Sequence, residues 1–162
     1  MEEFLESGFD KDISIKLINS VLVLKSLDES FSTLDMCVID LYDAYAEFIK
    51  IGAVATFIKK DKIIDTIHST SLPVGIFNNV DMEISKRKLK ENDLIVMITD
   101  GVIDSNENLV EKEKWVENIL KNYKGGTPQE IANYILKKAK ENSGDYVKDD
   151  MTVLVAKLWE KK

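Results

Sequence analysis

Two short apolar runs near opposite ends of the sequence each carry an aspartate at one end. The first is Leu94–Val102, which contains Asp100, and the second is Lys148–Ala156, which contains Asp149. Short runs rich in Val, Ile and Leu predict β-strands. If the two strands are neighbours, the two carboxylates converge at one edge of a sheet. Oxygen ligands in that position suit a hard divalent cation, so the pair predicts a site for Mg²⁺ or Mn²⁺.

Length and composition narrow the class of protein. The chain has 162 residues, for which we expect a single domain over 1–162. A net charge of −7 argues against binding to duplex nucleic acid, which requires a basic face. No apolar run approaches the roughly 20 residues that span a bilayer, so we expect no direct membrane insertion.

The cysteine content and the start of the sequence indicate the compartment. Cys37 is the only cysteine, which excludes an internal disulfide and fits a reducing environment. Two glutamates follow Met1, where a signal peptide would have basic residues. We therefore expect a cytoplasmic location, either of a free protein or of the cytosolic part of a membrane-anchored parent.

Hydrophobic periodicity predicts one helix and a series of strands. A helix is predicted over residues 11–26, with Asp10 as its N-cap, from the three- to four-residue recurrence of Ile13, Leu17, Val21 and Leu24. Strands are predicted at 33–42, 45–51, 54–59, 63–68, 82–89, 94–99 and 151–158. The last strand is nearly continuous in apolar residues, so we expect it to be buried on both faces.

Two further helices are predicted at residues 112–123 and 127–142. The second has a strong start, with Thr127 as the cap, Pro128 at the first helical position and Glu130 completing a capping box. The residues expected to face inward on it are Ile131, Tyr134, Ile135 and Ala139. Hairpins of strands followed by paired helices predict an α+β fold with a largely antiparallel sheet.

The sequence lacks the catalytic residues that other classes of hydrolase require. Haloacid-dehalogenase-like phosphatases need a nucleophilic Asp two positions before the Asp of Asp-Gly, and that position is Ile98. His68 is the only histidine, which leaves little scope for a Ser-His-Asp or Cys-His site. Zinc-type Cys/His spacing and a Walker-type loop are absent from the sequence. The acidic stretch 104–113 allows two interpretations, a solvated loop or a mobile flap beside a site.

Several motifs together resemble one enzyme family. Ile98-Thr-Asp-Gly-Val102 and Asp149-Asp-Met-Thr-Val153 are similar to segments of the metal-dependent protein phosphatases of the PPM type. Within that family the resemblance is strongest to the bacterial subgroup of stage II sporulation protein E, whose middle strands look like Asp35–Tyr42, Ala46–Ala53 and Leu72–Ile76. The similarity covers most of residues 1–158 in the same order.

The resemblance implies an antiparallel β-sandwich flanked by helices, with two Mn²⁺ or Mg²⁺ ions in its site. A water or hydroxide between the ions would attack the phosphorus of a phosphoserine or phosphothreonine. By position, Asp100 and Asp149 match metal ligands. Gly101 and Asp150 are expected beside the ligands without contacting the metal. For Asp150 the reason is that many relatives have Asn at this position. The resemblance implies no catalytic residue beyond the metal ligands and no site for an organic cofactor.

The same resemblance suggests a biological substrate. In this subgroup the substrate would be a phosphorylated anti-sigma-factor antagonist, acting in sporulation or stress signalling. An alternative is an inactive fragment or a non-catalytic interaction module with the same fold, whose partner surface would be built on the helix at residues 11–26.

One departure from the family pattern bears on the metal. The family places an Asp and then an Asp-Gly on strands ahead of the first helix, whereas the only Asp-Gly here is Asp100-Gly101. We therefore expect an N-terminally truncated form of the fold, its C-terminal two-thirds, in which two carboxylates bind metal weakly. A sheet without its first strands also has an unpaired edge, which invites dimerisation.

Overall fold

The computed structural model describes residues 1–25, 31–106, 111–144 and 146–159. Its helices are α1 (Glu2–Glu6), α2 (Lys11–Lys25), α3 (Asp100–Ile103), α4 (Lys114–Asn122) and α5 (Pro128–Ser143). Its strands are β1 (Leu34–Ile39), β2 (Tyr45–Ile51), β3 (Thr56–Lys60), β4 (Ile63–Ile67), β5 (Glu83–Lys88), β6 (Leu94–Ile98) and β7 (Val153–Lys157). All the predicted elements are present. Helices α1 and α3 are additional, since segments of five and four residues are too short to show a period. Residues 107–110 of the suggested flap lie outside the described residues.

The described residues form two compact units, the first drawn from Met1–Val38, Glu47–Ala53 and Ser69–Lys86. Its core consists of Ile15, Ile49, Ile51 and Val74, all buried. The unit also buries the ammonium of Lys50, which lies 2.6 Å from the Oδ2 atom of Asp35. A buried charge is costly unless an opposite charge accompanies it, so Asp35 makes the interior position of Lys50 tenable.

Helix α2 begins as predicted but buries a different face from the one that its apolar repeat suggests. The N–H of Asp12 donates to the Oδ1 atom of Asp10 at 2.9 Å, which is the expected N-cap bond. The buried residues are Ser14, Ile15 and Asn19. The repeating residues Ile13, Leu17, Val21 and Leu24 are instead 40–83% exposed.

Hydrogen bonding explains why a polar residue of α2 lies inside. The side-chain amide of Asn19 donates to the carbonyl oxygens of Phe77 at 2.9 Å and Asn78 at 3.2 Å. Its Oδ1 atom accepts from the N–H of Gly75 at 2.8 Å. A buried amide with its donors and acceptor satisfied carries little penalty, so Asn19 anchors the loop that follows Pro73 to the helix.

The first of the two described sheets has three strands, in the order β1-β2-β5. β1 and β2 form the predicted hairpin, whose turn places Ala44 at a φ of +55°. Exposure alternates along β5, so one face of this strand lies in solvent.

The second unit is drawn from Ile39–Ala46, Val54–His68 and Arg87–Lys162. It contains a four-stranded antiparallel sheet with the order β4-β3-β6-β7. In its register, Val96 of β6 lies opposite both Phe57 of β3 and Val155 of β7. β6 is therefore interior to the sheet, and most of its residues are buried.

Helices α4 and α5 belong to the core of this unit. Val116 and Leu120 of α4 and Ile131, Ile135 and Ala139 of α5 pack in one cluster with the buried residues of β3 and β6. The capping box of α5 is present as predicted: the hydroxyl of Thr127 accepts from the N–H of Glu130, and the carboxylate of Glu130 accepts from the N–H of Thr127. The inward position predicted for Tyr134 is wrong, because this side chain is 44% exposed and Ala132 is buried instead.

Strand β7 is not buried on both faces, contrary to the expectation from its composition. In the described part of the chain it pairs only with β6 and lies at the edge of the four-stranded sheet. Leu154 is 53% exposed. The apolar run alone could not reveal an edge position, because that depends on which strands pair on either side.

The α+β fold with antiparallel pairing is confirmed. The expectation of one domain over 1–162 stays a prediction. Among the helices that the structure describes, none combines the length and apolarity needed to cross a bilayer.

Two substitutions in paired strands test this core. Val96→Asp buries an unpaired charge, so we expect it to lower the free energy of unfolding by about 4 kcal/mol or more. Leu154→Asp is the matched control at a half-exposed site, with an expected loss of about 1 kcal/mol. Urea unfolding followed by circular dichroism measures both. Equal losses in the two variants would contradict the burial described for β6 and β7.

Candidate metal centre

Asp100 lies at the end of the interior strand β6. The strand ends at Ile98, Thr99 is the N-cap of α3, and Asp100 is the first residue of that helix. It therefore follows a strand as predicted, but it begins a helical turn rather than a loop. Its side chain is exposed, and its Oδ1 atom accepts from the N–H of Gly101 at 3.0 Å.

Thr99 ties this strand end to the segment that precedes β7. Its N–H donates to the carbonyl oxygen of Thr152 at 3.1 Å, and its hydroxyl oxygen accepts from the N–H of Thr152 at 2.9 Å. The same hydroxyl donates to the carbonyl oxygen of Asp150 at 3.1 Å. The backbones that carry the predicted ligands are thus held together at one edge of the sheet.

Gly101 allows the backbone of α3 to lie close to the backbone of Asp149 and Asp150. It is buried, and a Cβ atom built on it would overlap the carbonyl oxygen of Asp150 and lie 3.1 Å from that of Asp149. Any larger residue would push the Asp149–Asp150 segment away from α3. Glycine is therefore required at position 101 by packing, whatever the chemistry of the site.

A cleft of about 420 Å³ opens beside this junction. Its lining residues are Gly101, Asp104, Ser105, Asn106, Lys112, Asn142, Ser143, Tyr146, Lys148, Asp149 and Met151. Asp149 and Asp104 supply carboxylates, and Lys112 and Lys148 supply ammonium groups. Lys112 donates to the Oδ1 atom of Asp104 at 2.7 Å. The cleft therefore presents charges of both signs, mixed with hydroxyl and amide groups.

The four residues predicted for the site lie in adjacent segments, but their surroundings differ. Asp149 and Gly101 line the cleft, whereas Asp100 and Asp150 are not among its described lining residues. All three aspartates are exposed. Asp104 and Lys112 belong to the stretch 104–113 that the sequence offered as a solvated loop or a flap beside a site, although neither was named as a member of the cleft. Tyr146 and Lys148 were not predicted as members of the cleft. The sequence could have predicted that Asp104 lies near Asp100, because it follows Asp100 by one helical turn.

The donor set fits a hard divalent cation in part. Asp100 and Asp149 offer carboxylate oxygens, which Mn²⁺ and Mg²⁺ accept. Within the described residues, however, no group of three His, Cys, Asp or Glu side chains is arranged to hold a metal ion. Two carboxylates suit one weakly bound ion and do not complete a two-ion site.

The two side chains that commonly act as nucleophile and base in other hydrolases lie outside the described lining of this cleft. Burial raises the pKa of the Cys37 thiol to about 11, with a smaller contribution from the charge of Asp35, so the thiol is protonated at neutral pH. His68 is exposed, and its Nδ1 atom lies 3.4 Å from the Oε2 atom of Glu113. Cys37 and His68 are therefore not placed to act as a nucleophile and its base in this cleft.

Gly101→Ala tests the close approach of backbone at this junction. In a helix this substitution normally stabilises by about 1 kcal/mol. Here the added methyl group would overlap the carbonyl oxygen of Asp150, so we expect destabilisation instead. Thermal unfolding gives the sign of the effect, and a raised melting temperature would contradict the packing described above.

Comparison with known sequences shows similarity to one protein family over nearly the whole chain. The family described as Stage II sporulation protein E (SpoIIE) matches residues 1–159. Stage II sporulation protein E of Bacillus subtilis (strain 168) is 37% identical over 158 residues. The aligned part is 98% of this chain but 19% of that protein, so the chain spans about a fifth of the relative's length.

Comparison with solved structures extends this likeness to the fold. The structure of the PP2C phosphatase domain and a fragment of the regulatory domain of SpoIIE from Bacillus subtilis matches with a TM-score of 0.88 and 38% identity, over 97% of this chain and 47% of that one. The SpoIIE phosphatase domain from Bacillus subtilis presoaked with Mn matches with a TM-score of 0.76 and 35% identity, over 99% of this chain and 72% of that one.

Proposed function

Because the chain belongs to the Stage II sporulation protein E (SpoIIE) family, we propose that it forms the greater part of a metal-dependent protein serine/threonine phosphatase domain. The observation that supports this most directly is the junction of β6 and β7. There the Thr99 hydrogen bonds and the absence of a side chain on Gly101 hold two aspartate-bearing segments at one sheet edge. The whole relative is much longer, so its activity, substrates and partners are inferred for this chain rather than carried over.

The residues proposed to hold a metal are Asp100 and Asp149, with Gly101 and Asp150 supporting them. A bound Mn²⁺ or Mg²⁺ would lower the pKa of a water molecule and neutralise charge on the phosphoryl oxygens. The fit is that of a weak site, because affinity rises with the number and charge of the ligands and only two carboxylates are offered. The structure of a related domain presoaked with Mn supports Mn²⁺ as one candidate, and the preference of Mg²⁺ for oxygen ligands makes it the other.

The other residues of the cleft suit a phosphate monoester on a protein. The ammonium groups of Lys112 and Lys148 balance the carboxylates of Asp104 and Asp149 in the cleft, so a phosphoryl group would meet less repulsion there than beside the carboxylates alone. The exposed ring of Tyr146 provides an apolar surface at the cleft for the backbone or side chains that flank the phosphorylated residue. Orientation and charge compensation are the main protein contributions to phosphoryl transfer, and these groups supply both.

For the biological substrate we propose a phosphorylated anti-sigma-factor antagonist, in sporulation or stress signalling. Membership of a sporulation protein family supports this choice. A cytoplasmic location would allow the two proteins to meet. No nucleic acid is part of this proposal, since the net charge of the chain is −7.

A second candidate function is a non-catalytic interaction module, and one observation favours it. Helix α2 leaves Ile13, Leu17, Val21 and Leu24 exposed along one side. An apolar stripe of this kind is typical of a helix that binds a partner. This candidate differs from the first in that it requires no metal.

Removal of single carboxylates tests the metal assignment in this chain. We expect Asp149→Asn and Asp100→Asn each to weaken Mn²⁺ binding at least about 10-fold, because each removes a charged ligand. Asp150→Asn is the matched control with the same loss of charge, and it should retain binding. Isothermal titration with MnCl₂ measures all three. An equal loss in the Asp150 variant would show a general charge effect and contradict the assignment.

Phosphate release separates the two candidate functions. We expect Mn²⁺-dependent release from a phosphoserine-bearing anti-sigma-factor antagonist, abolished by chelator and by Asp149→Asn. The antagonist carrying Ala at its phosphorylation site serves as the blank. If no phosphate is released, and if Leu17→Gln weakens binding of the antagonist to this chain, the interaction module is favoured over the enzyme.

A further inference from the structure

The hydroxyl of Thr99 makes contacts that differ from those expected of a residue at the start of a helix. Thr99 is the N-cap of α3, where a threonine normally accepts a hydrogen bond from an N–H of the first helical turn. In the described part of the chain its hydroxyl makes no such capping bond. It accepts instead from the N–H of Thr152 and donates to the carbonyl oxygen of Asp150, which lie 53 and 51 positions away in sequence. The hydroxyl therefore joins two distant segments rather than stabilising α3.

This pair of contacts requires a side chain that both donates and accepts. The hydroxyl of threonine or serine does both. The oxygen atom lies 2.9 Å from the nitrogen of Thr152 and 3.1 Å from the carbonyl oxygen of Asp150. A methyl carbon in its place would have its favourable contacts at about 3.5–4.0 Å. Valine at position 99 would therefore push the Asp150 segment away from the end of β6 by roughly 0.5 Å.

The two carboxylates proposed as metal ligands are oriented by the backbone on either side of this contact. The Oδ1 atom of Asp100 accepts from the N–H of Gly101 at 3.0 Å, and the Oδ1 atom of Asp149 accepts from the N–H of Asp150 at 2.8 Å. Each carboxylate is thus fixed to the residue that follows it, so its place depends on where that backbone lies. Since Thr99 precedes Asp100 and binds the carbonyl of Asp150, its hydroxyl connects the backbone of one ligand to the backbone of the other.

We propose that Thr99 is a positioning residue that sets the affinity of the site for a divalent cation. The inference rests on the proposed function, in which Asp100 and Asp149 hold Mn²⁺ or Mg²⁺. Thr99 acts through the backbone and does not contact the cation. Ligands must be held within about 0.5 Å of the geometry that an ion requires. A site with two carboxylates is especially sensitive, because a displaced ligand carries half of the charge that it offers.

Variants at position 99 separate positioning from a general loss of stability. Thr99→Val removes the hydroxyl, and we expect it to weaken Mn²⁺ binding at least about 10-fold, as loss of a group that orients metal ligands typically does. Thr99→Ser keeps the donor and the acceptor, so it should bind Mn²⁺ as the parent chain does. Thr99→Ala removes the hydroxyl without placing a methyl group against Asp150, and it replaces the valine variant if that variant does not fold. Isothermal titration of the whole chain with MnCl₂ measures the affinities.

Thr66→Val is the matched control. It removes another hydroxyl of the same unit, which donates to the Oε1 atom of Glu117 at 3.0 Å. We expect it to lower stability, measured by urea unfolding with chelator present, and to leave the Mn²⁺ affinity unchanged. An equal loss of affinity in Thr66→Val, or in Thr99→Ser, would overturn the inference.

A double-mutant cycle tests whether Thr99 acts through Asp149. In a chain that already carries Asp149→Asn, Thr99→Val should cause a smaller further loss of Mn²⁺ affinity than it does in the parent, because a ligand that it positions is gone. Equal losses in the two backgrounds would contradict the inference.

The titration of the parent chain distinguishes this inference from the function on which it rests. Mn²⁺ binding that Thr99→Val leaves unchanged would overturn the inference and leave the metal assignment intact. If the parent chain binds no Mn²⁺, the metal assignment fails and the role of Thr99 fails with it.

Discussion

The antiparallel pairing of β6 with β7 is the constraint on which the candidate site depends. Ile98 pairs with Val153, so the end of one strand and the start of the other lie side by side. Thr99 continues this pairing beyond the strands through its backbone and hydroxyl bonds to Thr152 and Asp150. Gly101 then allows the backbone contact that a side chain would prevent. Without this pairing, two acidic residues about fifty positions apart in sequence would have no fixed relation.

Buried polar groups play a comparable role in the first unit. Asn19 anchors the loop that follows Pro73 to α2, and Asp35 accompanies the buried ammonium of Lys50. Both arrangements contribute specificity, because a buried amide or charge is tolerated only where its partners lie. The cost of this choice on α2 is that Leu17 and Val21 remain exposed, and they are available for contact with another molecule.

The two ends of the second unit have different chemistry. At one end, carboxylates and lysines mix in a polar cleft. At the other end, Tyr42 and Trp159 present aromatic surface with balanced charges around it. Strand β6, with most of its residues buried, connects the two ends.

The sequence by itself determined the local elements and indicated which two segments carry the candidate site. Alternation, turn residues and the capping box at Thr127 identified the strands and α5, because these signals act between near neighbours in the chain. Apolar runs next to Asp100 and Asp149 identified the sheet edge. Tertiary structure alone decided which faces are buried: Leu154 lies on an edge strand, Tyr134 faces solvent, and α2 turns Asn19 inward. It also brought Asp104 and Lys112 into the cleft. Burial depends on partners that are distant in sequence, and no local pattern encodes them.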